Sequence, residues 1–302
     1  MKRYLLFALS FTSSIFCVAQ ENPLDFYADV MVNAIEGKHR AFASVQFEKA
    51  LLEKLNSENS FFDPLANVEQ ISKLYAADSS FRVITYQVKI NDNTFESHGY
   101  IQTKNGSLIT LKNKSDEMED IEYLSLDQDN WFGALYYEMM EVQINGKINY
   151  LLFGYDGYSK YDHRKVLEVI TDVTDDSVVF GNEIFIIEKE GERPDRKQRL
   201  LIKYSGASNV TLNYDEALDM IVHPHLISRM GTIPGQGVTN VSDGSLVGYK
   251  LEEDGLWHFV EKIYDYISEE APRPVPVLDG NQKDTDIMGK DIEKKKKKKR
   301  NK

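Results

Sequence analysis

The sequence predicts a mainly β protein: an antiparallel meander of roughly a dozen strands, preceded by a helical segment and followed by an irregular tail. Three observations carry that expectation. From about residue 69 apolar residues recur at every second position, as in "FRVITYQVKI" (81–90), in runs rich in β-branched and aromatic types. Two-residue turn signals punctuate those runs at Asn105-Gly106, Asn145-Gly146 and Asp254-Gly255. Before residue 60 the apolar spacing is instead three to four, the helical period.

The chain opens "MKRYLLFALSFTSSIFCVA". Lys2 and Arg3 precede an apolar run from Tyr4 to Phe16, and small residues follow at Cys17 and Ala19. This order is that of a secretory signal peptide, residues 1–19, with cleavage expected between Ala19 and Gln20. The apolar run is too short to span a bilayer, so no transmembrane segment is expected in the mature chain. The expected location is the periplasm or the outer cell surface. Cys17 is the only cysteine, so the exported form has no disulfide, thiol nucleophile or thiolate ligand.

Residues 20–60 form the helical segment. Tyr27, Val30, Met31 and Ala34 share one helical face, and Phe47, Leu51 and Leu55 share another, with Gly37 between the two helices. Residues 61–268 form the β-rich domain. Its runs include "FESHGYIQTK", "NGSLITLKN", "LYYEMMEVQINGKINYLLFGYDG" (135–157), "KVLEVITDV" and "SVVFGNEIFII" around Asp175-Asp176, and "SLVGYKLEEDGLWHFVEKIYDYI". Short turns make sequence neighbours pair, which gives a meander; a sandwich, an open barrel and a propeller-like array all satisfy it. One stretch breaks the rhythm. "ISRMGTIPGQGVTNVSDG" (227–244) has four glycines and a proline and reads as a long loop, a class often functional.

Residues 269–302 read as a disordered linker ending in a polycation. "EEAPRPVPVLDGNQKDTDIMGKDIE" (269–293) has three prolines and no apolar period. "KKKKKKRNK" (294–302) carries eight positive charges. The whole chain has a net charge of −12; without Lys2, Arg3 and those eight charges the remainder carries −22. Lys294, Lys295, Lys296, Lys297, Lys298, Lys299 and Arg300 are therefore candidates for binding a polyanion. In an exported protein the fitting partners are an anionic glycan, a lipid head group or an acidic protein surface, and no nucleic acid is expected.

Chemistry-bearing motifs are sparse. Gly235-Gln236-Gly237 begins a dinucleotide fingerprint, but Asn240 stands at the third glycine position. There is no phosphate-binding loop, nucleophile elbow or H-E-x-x-H helix, and no cofactor is expected. "MIVHPHLISR" (220–229) places His223 and His225 on one face of a strand, two potential metal ligands. A catalytic zinc needs a third; Asp219, Asp243 and His258 qualify by type, yet nothing in the sequence brings them near. Two histidines at a strand end are more often a solvated edge or bonded to local backbone, and no metal site is expected here. "NYLLFGYDGYSKYDHRK" (149–165) gathers Tyr150, Tyr155, Tyr158, Tyr161, Asp156, Asp162 and His163. Tyrosine and aspartate together stack on and hydrogen-bond a sugar ring, whereas a tyrosine-rich hairpin end is the plain structural reading.

"ISKLYAADSSFRVITYQVKINDNTFESHGYIQ" (71–102), "DNWFGALYYEMMEV" (129–142) and "YLLFGYDGYSKYDHRKVLEVI" (150–170) resemble a group of uncharacterised exported proteins of Bacteroidota. The resemblance covers most of residues 70–265, with Tyr86 and Tyr155 standing where tryptophan is common in the group. It implies export and a β-rich domain and carries over no catalytic residue. The expectation is an envelope-associated, non-catalytic protein that binds a macromolecular or glycan partner. The alternative is a metal-dependent hydrolase using His223 and His225.

Overall fold

The computed structural model describes residues 23–189 and 191–263, together with 277–278 and 284–285. The signal region with Ala19 and Gln20, and the basic run from Lys294 to Arg300, lie outside the described residues.

The mainly β class is observed, with two helices at the start and sixteen strands in residues 23–263. Helix α1 (Pro23–Asn33) and helix α2 (Gly37–Leu55) form a hairpin. Gly37 is required where α2 begins, because a Cβ there would lie 1.8 Å from the Ile90 carbonyl oxygen. Strands β1 (Ser72–Tyr75), β2 (Phe81–Asn91), β3 (Thr94–Thr103) and β4 (Leu108–Leu111) form a first sheet in sequence order. The second contains β5 (Leu126–Asp127), β6 (Leu135–Ile144), β7 (Lys147–Asp156), β8 (Asp162–Val173), β9 (Val178–Phe180) and β12 (Leu200–Ser205). The third contains β10 (Phe185–Ile187), β11 (Asp195–Lys197), β13 (Asn213–Asp215), β14 (Met220–Met230), β15 (Val238–Leu251) and β16 (Trp257–Val260).

Three apolar clusters set the layers. Ala28, Met31, Phe47 and Leu51 of the helices pack on Ile84, Tyr86, Val88 and Tyr100 of the first sheet. Its opposite face, with Phe81, Val83 and Ile101, packs on Tyr136, Leu152, Val166 and Ile170 of the second. The second sheet's other face, with Leu151, Phe153, Leu167 and Val169, packs on Phe185, Ile221, Tyr249 and Trp257 of the third. The result is a stack of helices and three sheets. A sheet covered on both faces buries successive residues, and residues 81–86 of β2 are buried without a break, Arg82 donating to Gln102 and Thr85 accepting from the Tyr136 N–H.

Three departures from a pure meander appear. β8 pairs with β7 on one side, while its other edge is shared by β12, at Asp162–Leu167, and β9. β5 pairs with β9. β10 pairs with β16 in parallel, so the "SVVFGNEIFII" run splits at Gly181 between two sheets. The expected loop at 227–244 is mostly strand: β14 and β15 form a long hairpin whose connection spans only 231–237. Ile227 faces Val241 and Arg229 faces Thr239, so β-branched Ile227, Val238, Thr239 and Val241 sit in a paired ladder where the glycine count suggested a loop. Gly231, Gly235 and Gly237 occupy the turn, and Gly244 lies where His225 opposes Asp243, Gly244 and Ser245 in a bulge. Within the segment expected to be disordered, Val277–Leu278 pairs with Asp284–Thr285.

Candidate functional site

A cleft of about 430 Å³ opens at the rim between the first and second sheets. Its walls come from four places: the β2–β3 turn (Asn93, Thr94, Phe95), the segment after β4 (Asn113, Ser115, Asp116), the β7–β8 connection with its flanks (Asp156 to Arg164), and the tip of the β14–β15 hairpin (Gln236). Lys203 of β12 completes it.

The floor is a fixed polar network. Asp156, buried at the end of β7, accepts from Gln87 Nε2 at 2.8 Å, from the Tyr158 backbone N–H at 3.0 Å and from Arg164 Nε at 2.6 Å. Gln87 also accepts from the Gly157 N–H at 2.7 Å, which ties the first sheet to the turn after β7. The Arg164 guanidinium lies between the rings of Phe132 and Tyr158, 4.9 and 4.0 Å from their centroids. Tyr158 sits at φ +45°, a left-handed conformation that costs on the order of 1–3 kcal/mol for a non-glycine residue. Asp162 accepts from Thr239 Oγ1 at 2.5 Å and pairs with Lys203 Nζ at 3.3 Å. Gln236 donates to the Tyr161 carbonyl and, at 3.0 Å, to Ser205 Oγ, which fastens the hairpin tip to the cleft.

Both cations of the cleft are thus spent on carboxylates. The Asn93 side-chain amide, Asn113 Nδ2 and the Asp116 carboxylate keep no partner among the described residues, and they face the cleft beside Phe95, Tyr158 and Tyr161. Such a surface offers hydrogen-bond donors and acceptors next to aromatic rings. It holds no array of free positive charge for an anion.

The tyrosine-rich segment divides by strand alternation. Asp156, Tyr158, Tyr161, Asp162 and Arg164 reach the cleft. Tyr155 and His163 fall on the opposite face of the second sheet, where the His163 ring stands edge-on to Tyr155 and Tyr204 and burial lowers its pKa. Tyr150 packs against Phe81 at 4.8 Å. Sequence reading missed Asn93, Asn113, Asp116, Lys203 and Thr239, did not single out Arg164 within 149–165, and read Gln236 only in an incomplete dinucleotide fingerprint. They are far apart in the chain, and only the sheet pairings bring them together.

The histidine pair lies elsewhere, in a smaller cavity between β12 and the β14–β16 strands. His223 Nδ1 is 3.0 Å from the Pro224 carbonyl oxygen, and His225 Nδ1 is 2.8 Å from Asp243 Oδ2. Asp219 bonds Tyr214 and His258 bonds Asp254 at 3.0 Å, so neither joins them. Among the described residues no three His, Cys, Asp or Glu side chains are placed to hold a metal ion. No helix among the described residues is long and apolar enough to cross a membrane. A further concavity of about 530 Å³ at the other end of the second sheet is lined by Asn145, Asn149, Asn182 and Arg196 among others, with no aromatic side chain.

No protein-family model, curated protein or solved structure matches the chain.

Proposed function

We propose that this is an exported, envelope-associated, non-catalytic binding protein whose rim cleft takes a segment of a neutral glycan. The supporting observation is the cleft's composition: the unpartnered Asn93 amide, Asn113 Nδ2 and Asp116 carboxylate lie beside Phe95, Tyr158 and Tyr161. A hydroxylated ring needs directional donors and acceptors on its edge and an apolar surface on its face; the cleft is lined mostly by polar side chains, with Phe95, Tyr158 and Tyr161 among them. Export rests on the order of charge, apolar run and small residues in 1–19, and it fits the resemblance to exported Bacteroidota proteins. The basic run at 294–300 adds a second attachment, to a polyanion of the envelope.

The test is a glycan array probed with the full mature chain and with an Asn93→Ala/Asp116→Ala variant. Both residues are exposed and have no side-chain partner, so the variant keeps its fold. The expected result is retention of neutral oligosaccharides by the native chain and a loss of about tenfold or more in the variant, roughly 1.4 kcal/mol. Binding confined to sulfated or phosphorylated glycans, or equal binding by both proteins, overturns the reading.

A further inference from the structure

The cavity that holds His223 has a different chemistry from the rim cleft. It encloses about 270 Å³ beside the free edge of β12, and its walls include Ile202, Leu226, Val247 and Phe259. The Tyr249 and Phe259 rings lie 5.3 Å apart and form an aromatic side. Most polar groups at its margin are already engaged. Glu122 pairs with Lys197 at 3.0 Å and accepts from the Leu201 N–H at 3.1 Å. Asn240 donates to the Lys203 carbonyl at 3.1 Å and accepts from Ser228 at 3.0 Å. Lys203 holds Asp162, and His225 holds Asp243.

Two wall groups stand apart. The His223 Nδ1–H donates to the Pro224 carbonyl, which fixes the tautomer and leaves Nε2 with a lone pair. That nitrogen has no partner among the described residues. The Tyr249 hydroxyl also lacks one, and its ring lies 6.4 Å from the His223 ring at 29°. An unpartnered acceptor and an unpartnered hydroxyl therefore line the same open cavity, beside the apolar side chains of Ile202, Leu226, Val247 and Phe259. The matching group on a ligand is a single hydroxyl, which donates to Nε2 and accepts from the Tyr249 hydroxyl.

We infer that this cavity is a second binding site, for a small aromatic alcohol of the phenol class, whose ring packs on Phe259 and Leu226 while its hydroxyl bridges His223 Nε2 and the Tyr249 hydroxyl. Burial lowers the His223 pKa, which keeps the imidazole neutral near neutral pH. The inference does not rest on the glycan reading, since the two sites share only Lys203.

The probe is p-cresol, titrated into the full mature chain by calorimetry at about pH 7.5, a unit above the ordinary histidine pKa. Saturable binding is expected at a Kd of about 1 mM or tighter. Toluene, which has the ring and methyl group without the hydroxyl, is expected to bind at least about tenfold more weakly. His223→Phe keeps the bulk, removes the acceptor and is expected to weaken p-cresol by a similar factor. Absence of saturable p-cresol binding overturns the inference. Equal affinities for p-cresol and toluene overturn it as well, on the native chain and without depending on how any variant folds. Unchanged p-cresol affinity in folded His223→Phe does the same. Asn93→Ala/Asp116→Ala is expected to leave p-cresol binding unchanged, which separates this site from the cleft.

Discussion

Glu168 and Arg199 are wholly buried between the first and second sheets, where an apolar pair of similar size would pack without desolvating charge. Their geometry explains how they are accommodated. Arg199 Nε donates to Glu168 Oε2 at 2.8 Å, its Nη1 donates to both the Ile121 and the Leu124 carbonyls, and its Nη2 is buried with no hydrogen-bond partner among the described residues. Burial pushes the Glu168 carboxyl up, and Arg199 opposes that shift. Removing one partner strands the other, so Arg199→Leu or Glu168→Leu is expected to cost about 3–5 kcal/mol in chemical denaturation. The double variant is expected to cost less than the two single losses together, because no unpaired charge remains. Titration of the histidines gives a second expectation. His163 and His223 both have pKa values lowered by burial, so the unfolded chain binds protons before the folded one as pH falls. Their contribution is complete above the ordinary histidine pKa, about 6.5, and is lost as pH drops from there toward the folded-state values. Thermal midpoints measured between about pH 7 and pH 5 are expected to fall, and the slope is expected to be shallower in His163→Phe and His223→Phe.

At the scale of elements, the helical hairpin and the strand hairpins were legible because each is a local pattern with a local turn. Asn145 and Gly146 both adopt positive φ, +50° and +77°, as the two-residue turn between β6 and β7 demands. Gly37 marks the helix break, and its reason is the adjacent β2 backbone; Gly37→Ala is expected to destabilise by about 3 kcal/mol by denaturant titration, because backbone must move to admit the methyl group. What was not legible depends on pairing between distant elements. The parallel contact of Phe185 with Trp257, and the pairing of β12 with the first half of β8, leave no mark on their own sequences. The β14–β15 hairpin was obscured because its bulge and turn glycines fall within a short span, although Val238, Thr239 and Val241 signal strand. The candidate cleft was half visible for the same reason. Tyr158, Tyr161, Asp156 and Asp162 sit together in sequence, whereas Gln236 arrives on a hairpin tip. Gln236→Ala is expected to cost about 1 kcal/mol of stability, the worth of ordinary hydrogen bonds, and to weaken saccharide binding by more than its effect on folding.

For the whole molecule, three apolar cores in series lie within residues 24–257, and the described residues 23–263 form one compact unit. Ending the chain after Ile263 removes no member of those cores, so the thermal midpoint is expected to stay within a few degrees. The same truncation removes the eight charges at 294–302 and is expected to abolish retention on anionic vesicles at low salt. Full-length retention is expected to fade near physiological ionic strength, where exposed charges are screened over about 8 Å. The rim cleft, proposed to take a neutral glycan, is argued independently of the proposed polyanion attachment and carries the central claim. Its most direct test is a residue-resolved NMR titration of the full mature chain with the neutral oligosaccharide best retained on the array. The account predicts saturable shifts at 93–95, 113–116, 158–164 and 236. Shifts centred instead on Asn145, Asn149 and Asn182 in the opposite concavity, or no saturable shifts at all, would contradict it.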